Sequence, residues 1–474
     1  MNDDRSRAQE ILGVLEIHSF RPLLLSAAIL LIAGAASWFP AFPGLEAPGR
    51  VTLFILLFAA GLWVTEAIPT FAVALIIIGL EIAILGRPGG VFATESGDWV
   101  QFVRPWSSPI IWLFLGGFVL AAAAEKTGLD RAFSKWVLSK CGQRPASILM
   151  GVMGITFCFS MFISNTATTA MMMAVMSPIA ASIQRENPFR KALLLSVPFA
   201  ANLGGMGTVI GSPPNAIATG LLREHYPIDF LQWMFLGLPP ALLLVVLVWL
   251  FLQWQYPSTE NEIPVQAMAS DSTENPETPF WQRAIVMITF FVTIGLWLAE
   301  PVHNIPTPVI SFIPITVFTA LQILGKDEIR GLPWDILLLL TGGLALGVAV
   351  TQTGLATWLV AQLPRGFENP LFLAFCLAAL CSVLSNFMSN TAAANILIPI
   401  GLALGSGSEA TFVVPVALAA SSAMCLPVST PPNAIAYSYG QLNATDFLKG
   451  GICLGLIAPP LCLFWCQFVI KHLH

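Results

Sequence analysis

Charge is scarce in this sequence. Asp, Glu, Lys and Arg make up 10% of its 474 residues, where a soluble globular domain carries about 25%. With 56% hydrophobic residues and a mean hydropathy of +0.79, that shortage excludes an ordinary soluble fold and implies an integral membrane protein. Tyrosine is rare, at four, and there is no stripe of basic residues, so no nucleic-acid partner is expected. The eight cysteines (Cys141, Cys158, Cys376, Cys381, Cys425, Cys453, Cys462, Cys466) mostly lie in apolar runs without Cys-x-x-Cys spacing. They read as small buried hydrophobes, not as disulfides or metal ligands. The histidines fall in termini and loops. With no nucleophile–base pair, no metal-ligand cluster and no organic cofactor implied, the chain does not read as an enzyme. Residues 1–20 are polar and lack the short apolar core and cleavage site of a secretory signal.

What is present is a series of apolar runs. A membrane-crossing helix needs about 20 apolar residues, and eleven candidates lie near 22–39, 51–66, 70–86, 109–126, 192–222, 229–255, 280–299, 308–324, 336–352, 412–440 and 450–470. Two further runs, 146–186 and 369–404, are broken in the middle by polar residues and are expected to be re-entrant hairpins. Gly204–Gly207 with Gly211–Asn215, and Pro427–Asn433, interrupt two of the longest spans, where an unwound centre is expected. The polar stretch 257–279 is the one evident linker. It separates residues 51–256 from 280–474, and residues 1–50 carry an N-terminal segment and first span. The halves repeat one another: Gly61-Leu62-Trp63-Val64-Thr65-Glu66 matches Gly295-Leu296-Trp297-Leu298-Ala299-Glu300, and Gly116-Gly117 matches Gly342-Gly343. Five spans and one hairpin per half force the repeats into opposite orientations. With the N-terminus inside, fifteen of the 21 basic residues fall on inner segments and six on outer ones, in line with the positive-inside rule. Leu129–Arg144 alternates apolar and charged residues and suits a helix on the inner surface.

The polar breaks carry the chemistry. Ser-Asn-Thr-Ala occurs at Ser164–Ala167 and again at Ser389–Ala392, each with a serine four residues upstream, Ser160 and Ser385. Each is followed by Pro-Pro-Asn-Ala-Ile-Ala, at Pro213–Ala218 and Pro431–Ala436. Small polar side chains at membrane depth are costly unless something uses them, and a duplicated, interrupted segment is the mark of a transporter's binding site. One isolated Ser-Asn-Thr would more simply bond back to its own helix; two copies in register argue against that. A half-helix N-terminus at each tip offers free N–H groups and partial positive charge to an anion. The carbonyls ending the preceding half-helix, with serine and asparagine oxygens, suit a small hard cation. No Arg or Lys lies in either tip or Pro-Pro-Asn loop, so a dianion would be held by dipoles, hydroxyls and bound cations. Glu66 and Glu300 sit at helix ends and read as structural, and the paired glycines read as close packing points.

Trp63–Pro69, both Ser-Asn-Thr tips and Leu426–Ala434 resemble the divalent anion/sodium symporter family, and the likeness runs through both halves. The resemblance implies an all-α polytopic homodimer in the cell (inner) membrane, with the N-terminus cytoplasmic. It also implies a scaffold part and a transport part that moves as an elevator. It implies one Na⁺ near Ser160, Ser164, Asn165 and Gly211, and a second near Ser385, Asn390 and Ser429. The substrate would meet Ser164, Asn165, Thr166, Ser389, Asn390 and Thr391, with Pro213 and Pro431. Ser429 stands where many relatives have alanine, which changes little if its carbonyl is the ligand. Two complete tips are similar to those of carriers of C4-dicarboxylates (succinate, malate, fumarate), taken up with Na⁺. Sodium-independent dicarboxylate exchange is the alternative, with sulfate or citrate carriage behind it.

Overall fold

The computed structural model describes residues 2–39, 42–263, 278–362, 369–405 and 407–472. All regular structure among them is helical, as it must be where hydrocarbon offers the backbone no other partner. Among the described residues seven helices are long and apolar enough to cross a membrane, by length and composition: Phe20–Trp38, Ala47–Thr65, Val100–Thr127, Phe230–Gln255, Phe280–Leu298, Lys326–Gln352 and Ala444–Ile470. The other expected spans are shorter or broken. The run 192–222 is Phe189–Gly204 followed by Pro213–Leu222, and 412–440 is Glu409–Ala420 followed by Pro431–Ser438. Most of the expected linker, 264–277, lies outside the described residues.

The chain forms two compact units. One comprises Met1–Trp106 and Leu338–Leu363. Within it the helix Ala47–Thr65 packs on Thr70–Leu80, which runs on as a π-helical turn over Glu81–Gly86. Gly342 lies flush against Ala74: a Cβ there would come within 2.4 Å of the Ala74 Cβ and 2.6 Å of its Cα. The other unit comprises Ser107–Leu337 and Pro364–His474 and holds both Ser-Asn-Thr segments.

Ten helices of this second unit form two matching sets. The first is α1 (Pro145–Ser160), α2 (Asn165–Ser182), α3 (Phe189–Gly204), α4 (Pro213–Leu222) and α5 (Phe230–Gln255). The second is α6 (Pro370–Leu384), α7 (Asn390–Leu404), α8 (Glu409–Ala420), α9 (Pro431–Ser438) and α10 (Ala444–Ile470). Helices α3 and α8 are buried on nearly every face and form the two cores. In each set the two hairpin arms pack on that buried helix: α1 and α2 on α3, α6 and α7 on α8. The sets then exchange their short helices. α9 packs on α2 and α3, and α4 packs on α7 and α8.

The internal repeat extends to single hydrogen bonds. The indole of Trp63 donates to the Thr70 carbonyl at 3.2 Å, and that of Trp297 to the Thr307 carbonyl at 3.1 Å. Each ties the end of one helix to the start of the next. Segments whose basic residues suggest a common face also pair with one another. Lys191 bridges to Asp446 at 2.9 Å, Arg190 donates to Gln441 at 2.7 Å, and Lys126 pairs with Glu328. The Ile263 amide donates to the Gln143 carbonyl at 2.8 Å, so the start of the linker is held against the turn before α1. Burial and the adjacent Asp446 carboxylate push the Tyr256 phenol up, keeping it a neutral donor to Asp446 at 3.0 Å.

Gly342→Val should lower stability by about 1–3 kcal/mol, because the added atoms meet backbone that cannot move aside. Gly295→Ala, where a Cβ meets nothing within 4 Å, should be neutral. Thermal unfolding in detergent checks both; equal midpoints for the two variants would contradict the packing described.

Candidate functional site

Each Ser-Asn-Thr segment begins a helix. Ser164 is the N-cap of α2 and its hydroxyl accepts from the Ala167 amide at 3.2 Å; Ser389 caps α7 through Ala392 at the same distance. The serine thus satisfies one of the orphan amides and leaves those nearer the tip for a ligand. Asn165 and Thr166 follow the first cap, and Asn390 and Thr391 the second. Thr166 is exposed and Thr391 half-buried.

Around Asn165 the oxygens converge. The fully buried Ser160 hydroxyl lies 2.6 Å from Asn165 Oδ1 and 2.7 Å from the Ala201 carbonyl oxygen. A hydroxyl has one hydrogen, so it serves only one of them at a time. Which way the Asn165 amide points is decided by this network. With the amide turned over, its nitrogen would stand 2.6 Å from Ser160 Oγ and 3.2 Å from the carbonyl oxygens of both Gly211 and Ala201. Ser160 Oγ, Ala201 O and Gly211 O therefore converge on one terminal atom of the Asn165 amide. A set of neutral oxygens of this kind suits a hard cation.

The loop that brings Gly211 there is held by side chains. Asn215 donates to the carbonyls of Gly205 at 2.8 Å and Thr208 at 2.7 Å. The Thr208 hydroxyl donates to the Met161 carbonyl and accepts from the Gly211 amide at 3.1 Å. Gly205 is required by space: a Cβ would sit 2.7 Å and 2.8 Å from the two terminal atoms of Asn165.

The second half uses the same parts differently. Asn433 donates to the carbonyls of Met424 at 3.1 Å and Leu426 at 2.9 Å, as Asn215 does in the first half. Ser429 Oγ bonds to the Asn386 carbonyl at 3.2 Å, the counterpart of Met161 O, and accepts from the Leu426 amide at 2.9 Å. The Asn386 side chain accepts from the Cys425 amide at 2.8 Å. Ser385 Oγ, fully buried, has no partner beyond the Cys381 thiol beside it, and the buried Asn390 Oδ1 has none. Near the end of α8 the Ser422 hydroxyl donates to the Ala419 carbonyl at 2.7 Å. The first cage is assembled; the second holds two orphaned oxygens. Pro213 and Pro431 each open their short helix.

The citrate transporter family matches residues 60–411. The chain belongs to this family. Among curated relatives, the sodium-dependent dicarboxylate transporter SdcS of Staphylococcus aureus (strain USA300) is 30% identical over 459 residues, covering 89% of this chain and 86% of that one. Its namesake in Staphylococcus saprophyticus is 29% identical over 465 residues, with the same coverage. Two solved structures share the fold: the Alcanivorax borkumensis YdaH transporter (12% identity, TM-score 0.50, 90% of this chain and 98% of that one) and Neisseria gonorrhoeae MtrF (10% identity, TM-score 0.53, 86% and 96%).

In this family member the structure brings Ser160, Asn165 and Gly211 together, whereas Ser385 Oγ and Asn390 Oδ1 are not hydrogen-bonded to a carbonyl. Ala201, Gly205, Thr208 and Asn386 complete the arrangement and were not singled out by motif. The Gly204–Gly207 run marked only a break in a span, and backbone carbonyls leave no trace in side-chain identity.

Gly205→Ala should displace Asn165 and lower cation affinity about tenfold or more, equivalent to roughly 1.4 kcal/mol. Thermal stabilisation by Na⁺ reads this directly. Undiminished stabilisation in the variant would remove Asn165 from the cage.

Proposed function

We propose that the protein is a secondary active transporter that takes up a C4-dicarboxylate, such as succinate, malate or fumarate, together with Na⁺. The carrying observation is the convergence of Ser160 Oγ and the Ala201 and Gly211 carbonyl oxygens on the terminal amide of Asn165, a cluster of neutral oxygens of the kind a small hard cation takes. The relatives' names support both the sodium and the dicarboxylate.

The order of binding follows from magnitudes. A cation about 4 Å from a carboxylate is worth about 4 kcal/mol at the effective dielectric of a protein surface. A helix N-terminus adds about 0.3–1 kcal/mol. With no Lys or Arg in either tip, bound Na⁺ dominates the attraction for a dianion, so cations bind first. One carboxylate then meets Asn165 and Thr166 and the other Asn390 and Thr391, with Ser164, Ser389, Pro213 and Pro431 shaping the walls. Na⁺ ligands are Ser160, Ser164, Asn165 and Gly211 in one cage and Ser385, Asn390 and Ser429 in the other. The orphaned Ser385 and Asn390 oxygens support a second cage that closes on its ion. The protein works as a homodimer in the cell membrane with a cytoplasmic N-terminus. The two broken segments are re-entrant hairpins of opposite orientation, and the transport part moves as an elevator.

In proteoliposomes without internal substrate, an inward Na⁺ gradient should drive succinate uptake. Uptake that needs internal dicarboxylate and ignores Na⁺ would establish exchange in place of symport. Asn165→Ala or Asn390→Ala should abolish transport while the protein still inserts; wild-type rates would sink the site. Thr391→Ala should weaken substrate affinity more than Na⁺ affinity, and equal losses in titrations would contradict its role.

A further inference from the structure

Asn202 lies near the end of α3, 1% exposed, one residue after the Ala201 carbonyl that faces the first cage. Its amide nitrogen donates across the repeat to Thr430 Oγ1 at 3.0 Å and, more weakly, to Asn433 Oδ1 at 3.4 Å. These two residues shape the second half's unwound segment. Thr430 is the N-cap of α9, accepting from the Asn433 amide at 3.3 Å, and Asn433 holds the Met424 and Leu426 carbonyls. Ser429, the expected second-cage ligand, lies between them and Leu426. A second bond runs the other way. Ser421, fully buried just beyond α8, donates to Ser212 Oγ at 3.3 Å. Ser212 is the N-cap of α4 and directly follows Gly211, whose carbonyl is in the first cage. Each buried helix therefore reaches across to the cap residue that begins the other half's Pro-Pro-Asn helix.

We propose that Asn202 and Ser421 are positioning residues forming a cross-repeat clasp that couples the two cation cages. The inference rests on the Na⁺-coupled reading above. An ion in the first cage draws in the Ala201 and Gly211 carbonyls. Ala201 carries Asn202 with it, and Asn202 moves Thr430 and Asn433, the supports of the Ser429 segment. Gly211 carries Ser212, which is tied to Ser421 at the end of α8. The second cage, open at Ser385 and Asn390, is thereby shaped by the filling of the first, a contiguous path of named contacts. A clasp that only glued helices together would alter the amount of folded protein and not the shape of the Na⁺ dependence.

The test is Na⁺ titration of succinate uptake in proteoliposomes. The wild type should respond sigmoidally, with a Hill coefficient of about 2 for two coupled sites. Asn202→Ala should bring the coefficient to about 1 and raise half-saturating Na⁺ roughly fivefold or more, with most of the rate retained at saturating Na⁺. Ser421→Ala removes a single hydroxyl and should shift both in the same direction by less; it decides the matter if Asn202→Ala fails to insert. In the double variant Asn202→Ala/Thr430→Ser, which keeps the cap hydroxyl of α9, the Hill coefficient should be that of Asn202→Ala alone. An unchanged Hill coefficient in both single variants, or a loss of maximal rate alone, overturns the clasp and leaves symport standing. Wild-type uptake indifferent to Na⁺ overturns symport and the clasp together.

Discussion

A backbone carbonyl that leaves its helix inside a membrane must find another partner, because an unsatisfied one costs several kcal/mol. The second unit of this protein breaks its helices at four places, after α1, α3, α6 and α8, and at each the freed groups are taken up by side chains. Asn215 holds the Gly205 and Thr208 carbonyls, and Asn433 those of Met424 and Leu426. Thr208 and Ser429 hold the carbonyls just after the first arm of each broken segment. What remains when these are satisfied is the oxygen cluster at Asn165 and the orphaned oxygens of Ser385 and Asn390. The proposed binding site lies where these breaks leave polar groups gathered.

The two halves reach that state unequally, and single residues explain why. In the second half the stretch after α8 carries Ser421 and Ser422 where the first half has glycines, and the Ser422 hydroxyl donates back to the Ala419 carbonyl. The Ala201 carbonyl accepts the Gly205 amide and the Ser160 hydroxyl, so it is a hydroxyl of the broken segment that reaches it. Met161 is matched by Asn386, whose side chain takes the Cys425 amide and the Ser429 hydroxyl. A duplicated fold thus yields one polar cluster bonded within itself, at Asn165, and one with unpartnered oxygens, at Ser385 and Asn390.

Much of this was legible in the sequence. The doubled Ser-Asn-Thr and Pro-Pro-Asn words mark the breaks, and glycine and proline mark the unwound centres, because few other residues suit an interrupted helix. The tryptophans of Gly61–Glu66 and Gly295–Glu300 make equivalent bonds, as a true repeat requires. The exchange of α4 and α9 between halves was not legible, since motif order along a chain does not say which neighbour a short helix chooses. Nor were Thr208 and Ser429 recognisable as equivalents. They hold matching carbonyls from positions three residues out of register relative to Pro-Pro-Asn, so alignment separates what geometry unites. Ala201 contributes a carbonyl, which any residue would carry. Asn202 matches an alanine, Ala420, in the other half, so the repeat itself concealed it.

The Asn165 amide reports most directly on the central claim that Ser160, Asn165, Ala201 and Gly211 hold a cation. The decisive measurement is a high-resolution structure of the reconstituted protein in Na⁺, compared with one in a large organic cation. The account predicts a peak between the four oxygens in Na⁺, with the Asn165 oxygen turned inward, and no peak in the organic cation, with the amide nitrogen donating to Ala201 and Gly211. An empty cage in saturating Na⁺, with the nitrogen turned inward in both, would contradict it.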